Sequence, residues 1–351
     1  MIISIVCEAC ENEIDVDESQ LKKLKLCPHC GAELPKTEYK KPSFFARLFG
    51  KKTQPAPAPS GIAVVEQTDK DFKIDKGVLE KYVGKGGEVT VPDGVKKIGD
   101  AAFENCADLR AIQFPDSLER IGSRAFYACS NLTELVFPNR LQEIGDAAFE
   151  NCAELRFLQF PDSLKIIGAS AFYCCENLTE LKLPNGLKRI GNSAFAYCDS
   201  LSEITVPDSV IHIGFAAFQG CRALTAIVLP FVANERERYG CFGNIFGADT
   251  LEENKAYVPR KLASVTLTNA KHVGREAFYN CKSITRIDLP KSLEALEVLA
   301  FLDCTNLKTI RYHGTKKEFQ AVRCEDSWAS GVQADGVTCN DGKLLFKNYL
   351  R

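Results

Sequence analysis

Residues 114–136 read FPDSLERIGSRAFYACSNLTELV, and the stretches on either side, VPDGVKKIGDAAFENCADLRAIQ (91–113) and FPNRLQEIGDAAFENCAELRFLQ (137–159), repeat the same frame. The frame continues through 160–182, 183–205 and 206–228, returns as a 22-residue copy at 267–288, and closes with 289–311. Its cysteines, Cys106, Cys129, Cys152, Cys175, Cys198 and Cys221, stand 23 residues apart, and Cys281 and Cys304 repeat the interval. A fixed period in the twenties is the signature of a solenoid, in which no unit buries its own apolar side and only stacking makes a core.

Each unit has a physical reading. In Leu109-x-x-Ile112-x-Phe114 the apolar residues alternate, which predicts a short strand with Ile112 and Phe114 facing inward. Pro115 lacks an N–H and ends the ladder. Leu118 and Ile121 turn the chain back to the core, Gly122 marks a tight turn, and Ser123 is placed as the N-cap of a short helix over Arg124–Cys129. The helical spacing puts Ala125, Phe126 and Cys129 on the core face. At that position cysteine reads as a small buried apolar residue with an inert thiol, in preference to a redox or metal ladder.

The frame P-x-x-[LV]-x-x-I-G-x-x-A-F-x-x-C-x-x-L-x-x-[IL] resembles the BspA-like leucine-rich repeat family over roughly residues 70–343. That resemblance implies an α/β solenoid: a right-handed array of 23-residue repeats, each a short strand plus a short helix. It also implies caps at both ends, with 72–92 similar to the family's N-terminal hairpin and 312–344 to its C-terminal cap. The implied use is as a binding surface without enzymatic activity. The expected organisation is a first module at 1–35, a linker at 36–67, and a solenoid at 68–351. Within the solenoid, 68–90 is the N-cap, 91–311 the repeats, and 312–351 the C-cap.

The first module carries the other cysteine system. Cys7, Cys10, Cys27 and Cys30 form two C-x2-C pairs sixteen residues apart. Two tight turns, each offering two thiolates, supply the tetrahedral donor set of one structural zinc ion. Pro28 and Gly31 suit a knuckle, and residues 5–34 resemble small bacterial zinc-ribbon modules. Two disulfides of a secreted module are the competing reading. A site closed by four protein ligands leaves no open position for catalysis.

Lys plus Arg is 44 and Asp plus Glu is 46, a balance that argues against bulk-charge binding of nucleic acid. Around the zinc cysteines the sign is also wrong for phosphate, because Glu8, Glu11, Glu13, Asp15, Asp17 and Glu18 outweigh Lys22, Lys23 and Lys25. The sequence contains no G-x-S-x-G, phosphate-loop or H-E-x-x-H motif, so no catalytic residue is assigned. It has no apolar run long enough to span a bilayer. Met1–Cys7 has no signal-peptide pattern, so the expected compartment is the cytoplasm, with free thiols. In the linker, residues 54–60 are Pro-rich and extended. Phe44, Phe45, Leu48 and Phe49 can share one helical face between basic ends, offering residues 40–52 as a weak peripheral membrane contact. The long unit at 229–266 carries an insert at about 231–258 that is expected outside the stack, as either a binding lobe or a structural bulge.

These observations point to a non-enzymatic protein-interaction scaffold, with the solenoid as the reader of a protein partner and the zinc ribbon as an accessory docking module. Two alternatives stand beside it: a cell-surface adhesin exported without a recognisable signal, and a nucleic-acid-associated protein acting through the ribbon. Outward positions on the strand face are mostly polar or small. Phe157 is the exception, with Val136 one strand back. Phe157, Val136 and Gln159 are therefore expected at the centre of a partner site, with Glu134, Glu180 and Lys182 at its rim.

Overall fold

The computed structural model describes residues 2–6 and 13–17 as backbone, and residues 68–232 and 241–346. The chain divides into two units, 1–64 and 65–351. In the first, Ile2–Val6 and Glu13–Asp17 pair antiparallel, with Ile2 opposite Asp17 and Val6 opposite Glu13. Cys7, Cys10, Cys27 and Cys30, and the 40–52 segment, lie outside the described residues.

The second unit is a β-solenoid with low helix content. Each 23-residue turn, or rung, contributes one strand to an open face and a two-residue strand to a second face. On the open face Gly87–Thr90, Leu109–Gln113, Glu134–Val136, Phe157–Gln159 and Glu180–Lys182 form one parallel sheet. Glu203–Thr205 starts a second sheet, which continues through Ala226–Leu229, Ser264–Leu267, Arg286–Leu289, Thr309–Tyr312 and Gly336–Cys339. On the second face, short strands from Lys97–Ile98 to His212–Ile213 pair in parallel without a break.

The core is a set of columns, one residue type per rung. Phe103, Phe126, Phe149, Phe172, Phe195 and Phe218 stack along the axis with centroids 4.8–6.0 Å apart. Leu132, Leu155, Leu178 and Leu201 form a parallel column, fully buried. Fully burying one such side chain is worth about 1.5–3 kcal/mol, but each is buried only by the rungs above and below it.

The helix expected at Arg124–Cys129 does not form. The N–H groups of Arg124, Phe126 and Ala128 donate to the carbonyls of Asp146, Ala148 and Glu150 in the next rung. Those of Ala125, Tyr127 and Cys129 turn back only three residues, to Gly122, Arg124 and Phe126. Alternate donors are committed between rungs, so the i to i−4 ladder of an α-helix cannot close. The geometry requires two left-handed residues per rung, here Arg124 (φ 54°) and Ala128 (φ 58°). Each non-glycine residue in that region costs about 1–2 kcal/mol, which the inter-rung bonds offset. Ser123 is not an N-cap: its N–H donates to the Asp100 carboxylate of the preceding rung at 3.1 Å.

Gly122 opens the turn as expected, its carbonyl accepting from the Ala125 N–H, but close packing is what requires glycine there. Its φ is not positive. It belongs to a column, Gly99 to Gly214, at which neighbouring rungs touch backbone to backbone. A Cβ on Gly168 would lie 2.6 Å from the Gly145 carbonyl carbon.

Much of the insert is inside the stack. Phe242–Phe246 forms a 3-10 turn in which Phe242, Ile245 and Phe246 are buried. Its carbonyls at Asn244 and Ile245 accept from Ala216 and Phe218, and its Phe242 N–H donates to Ala277. It therefore supplies the inter-rung contacts of a whole repeat. Asn254, fully buried, locks it in place: Oδ1 accepts from the Gly243 N–H at 2.8 Å, and Nδ2 donates to the Tyr279 carbonyl at 3.0 Å.

The ends are closed. Phe72–Asp75 and Val78–Tyr82 form an antiparallel hairpin that places Tyr82 under Phe103. At the other end a helix, Lys316–Gln320, is held by a capping box between Thr315 and Glu318. It seats Phe319 against the buried Trp328.

Candidate functional site

The six residues expected at the partner site lie on one face of three adjacent parallel strands. Phe157 is in register with Glu134 on one side and Glu180 on the other, and Gln159 with Val136 and Lys182. The alternate residues Leu135, Leu158 and Leu181 are buried beneath them. Side chains two residues apart share a face, and parallel pairing repeats that face every strand.

The structure refines the expectation for Phe157, which is half-buried and not fully exposed. The Lys182 ammonium sits 5.6 Å from its ring centroid, within cation–π reach. The ring is thus held by a cation from the next strand and flanked by carboxylates on both sides. Glu134, Glu180, Gln159 and Lys182 are exposed, and Val136 is half-buried. The Lys182 contact spans 25 residues of sequence, so no local pattern signals it.

Beside this cluster lies a groove that the sequence did not reveal. The strand ladder stops between Glu180–Lys182 and Glu203–Thr205, which belong to separate sheets. A cavity of about 790 Å³ opens there, lined among others by Glu180, Lys182, Asn185, Glu203, Thr205 and Asp208. Glu180 and Glu203 occupy equivalent places on successive rungs, and like charges directly opposite disfavour strand pairing. That repetition of glutamate was the one available signal. On the far wall the Thr268 hydroxyl donates to the Asp208 carboxylate, tying together residues 60 apart.

Farther along the same face Arg286 grips Asp288 with two bonds, Nε to Oδ2 at 2.6 Å and Nη2 to Oδ1 at 2.9 Å. The Asp288 carboxylate is buried, and its hydrogen bond to Arg286 raises the guanidinium pKa further. His313 Nε2 lies 3.6 Å from Asp288 Oδ1.

The repeat cysteines do structural work. Cys129, Cys152, Cys175, Cys198, Cys221 and Cys304 each donate the thiol proton to the Phe carbonyl of the preceding rung, at 2.9–3.4 Å. This accounts for cysteine over alanine, which has no donor for that carbonyl. Burial pushes the Cys129, Cys221 and Cys304 thiols up to about 12 and the others of the column also upward, so the column holds no nucleophile. Among the described residues no group of His, Cys, Asp and Glu is arranged to hold a metal ion. No helix among them is long and apolar enough to cross a membrane.

Residues 81–189, 119–245 and 251–323 match the family model described as the BspA type leucine rich repeat region, in six copies. A search of curated proteins returned no match. Among solved structures the chain is similar to a leucine rich repeat protein of T. pallidum, at 32% identity over 46% of this chain and 81% of that one, with a TM-score of 0.45. It is similar to a leucine rich cell surface protein of Faecalibacterium prausnitzii, at 20% identity over 75% and 98%, with a TM-score of 0.42. The pneumococcal vaccine antigen PcpA matches at 20% identity over 79% and 81%, with a TM-score of 0.40.

Proposed function

Because the chain belongs to the BspA type leucine-rich repeat family, we propose that it is a non-enzymatic protein-interaction scaffold whose open strand face receives a protein partner. Proteins of this repeat class bind other proteins as a rule and carry no chemistry of their own. The observation that carries the reading is Phe157, an aromatic on the solvent side of a sheet, flanked in register by Glu134 and Glu180 and covered by the Lys182 ammonium. An apolar ring inside a charged rim is the composition of an interface centre. Val136 and Gln159 complete that centre, and the groove beside Lys182 gives a partner side chain somewhere to enter.

The first module is the accessory docking unit in this reading, held by one zinc on Cys7, Cys10, Cys27 and Cys30. The Ile2–Val6 and Glu13–Asp17 hairpin supports the assignment, since the chain reverses between Val6 and Glu13. The residues joining them carry the first C-x2-C pair, and four thiolates are a donor set that zinc takes. When bound, the ion ties the two cysteine pairs together as a structural link.

A photo-crosslinking residue in place of Gln159, introduced into the full chain in its own cells, tests the surface. The expected result is a discrete protein adduct from position 159, absent from position 188 on the second face. Phe157→Ala should weaken it by about 1–3 kcal/mol of binding free energy. Adducts from residues 241–258 with none from position 159 would refute the assignment.

A further inference from the structure

At its N-terminal end the second-face sheet stops at an open strand edge. Val78–Tyr82 pairs in parallel with Lys97–Ile98 of the first repeat, and Phe72–Asp75 stands one strand farther out, last in that sheet among the described residues. A strand edge of this kind is a template for another strand. A solenoid is kept from such contacts by a terminal unit with a polar outer face, and here the apolar core runs out to the edge instead. Ile74 lies opposite Leu79 across the hairpin, and Leu79 lies beside Ile98. The same column continues rung by rung to Ile213. From Leu79 to Ile213 its members are at most 2% exposed, whereas Ile74, at the end, is 42% exposed.

The backbone at Ile74 points the same way. The Leu79 carbonyl accepts from the Gly99 N–H of the first repeat at 2.8 Å, so it faces away from Phe72–Asp75. Ile74 and Leu79 are therefore a pair that exchanges no hydrogen bond, and the N–H and carbonyl of Ile74 are directed off the edge of the sheet. Phe72 is placed likewise, because the N–H of Tyr82 opposite it donates to Ala102. Between and beside them Lys73 and Asp75 are exposed on the other side of the strand.

We propose that this edge pairs with the same edge of a second copy of the chain, antiparallel about a two-fold axis at Ile74. The two Ile74 residues then exchange N–H to carbonyl bonds, and each side chain covers the exposed end of the other's apolar column. Lys73 of each copy falls opposite Asp75 of the other. Charge selects this register. The register one residue away, centred on Lys73, also joins outward backbone groups, but it sets Lys73 against Lys73 and brings Asp75 toward Asp71. Opposite charges directly across a strand pair are favourable and like charges unfavourable. The paired strand is four residues long, a small contact beside that of a permanent dimer, so association is weak and concentration-dependent. It is independent of the protein-binding reading of the open face, which lies on another sheet.

Sedimentation equilibrium of the full chain over a wide concentration range tests the pairing. A reversible shift from the monomer mass toward twice that mass is expected. Ile74→Lys puts two like charges at the axis and should abolish the shift, with the circular dichroism unchanged because the residue is at an exposed edge. Lys73→Asp and Asp75→Lys should each weaken the dimer several-fold, since the two-fold axis doubles every change of a cross-strand pair. Combined in one chain they should restore it, because the opposite-charge pairs re-form with their signs exchanged. A monomer at every concentration, a dimer untouched by Ile74→Lys, or a double variant no stronger than the single ones would overturn the proposal. Tighter association of Asp75→Lys would also overturn it, by showing the register centred on Lys73.

Discussion

Replacing Gly168 by alanine should destabilise the solenoid far more than the same change at Gly274. At Gly168 the new Cβ would stand 2.6 Å from the Gly145 carbonyl carbon and 2.7 Å from the Asp146 nitrogen, where ordinary contact begins near 3.4 Å. These two atoms and Asp146 Oδ1, also at 2.6 Å, are backbone or carboxylate atoms of the preceding rung, so the rungs must part by about 0.8 Å to restore contact. Two short bonds cross that gap: Gly168 N–H to the Ile144 carbonyl at 2.8 Å, and Ala169 N–H to Asp146 Oδ1 at 2.7 Å. Lengthened by that amount, both reach about 3.5 Å or more, beyond the range of a good hydrogen bond. Losing two such bonds, one of them to a charged acceptor, costs about 2–4 kcal/mol. Gly274 has no atom within 4 Å of its ideal Cβ and no positive φ, so alanine there should be neutral or stabilising by about 0.4–1 kcal/mol. Urea unfolding followed by far-ultraviolet circular dichroism and by Trp328 fluorescence measures both changes. Equal midpoints for the two variants would refute the claim that backbone contact between rungs requires the glycine column.

The buried cysteines of the column should stay silent toward a thiol reagent at pH 8 in the native protein, since burial holds Cys129, Cys221 and Cys304 near 12, and should react in denaturant; fast native labelling would contradict the packing. Metal analysis of protein purified without added zinc should find one zinc per chain. Replacing Cys27 and Cys30 by serine should abolish it and leave the solenoid's circular dichroism intact; retained zinc would sink the ligand set. The Lys291 ammonium, and then Thr315, hold the Glu318 carboxyl at about 2, below its ordinary 4.5. A lowered folded value stabilises the fold above the unfolded pKa, so the contribution to the C-terminal cap is complete above about pH 4.5 and is lost toward pH 2. Glu318→Gln should flatten the acid dependence of Trp328 fluorescence in that window, and an unchanged profile would count against the cap geometry.

The stack was legible because its signals recur. Leu109, Ile112, Phe126 and Cys129 are each copied along the chain, so the inward positions could be read from the period. The short helix was misread because A-F-x-x-C has helical spacing, while the bonds that displace the helix come from residues 22 positions away, such as the Ala148 carbonyl for Phe126. Left-handed positions were written in weak letters. Asn105, Asn151 and Gly220 hint at them, but Arg124, Ala128 and Tyr197 take the same conformation without a sequence cue. Phe242–Ala248 was placed outside the stack because it breaks the period, yet its Phe242, Ile245 and Phe246 fill the core columns. At the candidate site the facing of Phe157 followed from alternation, whereas its half-burial under Lys182 depends on a side chain of the next strand.

The interruption between Glu180–Lys182 and Glu203–Thr205 affects only one side of the molecule. Arg189–Ile190 still pairs with His212–Ile213 on the second face, and Ser193, Phe195 and Tyr197 still donate to Phe215, Ala217 and Gln219. Two rungs fastened along two edges and parted along the third make a hinge whose axis runs through the fastened edges. Flexing it opens or narrows the groove beside Lys182 while the blocks on either side keep their own registers. A small tilt at this one rung would become a displacement that grows with distance along the stack.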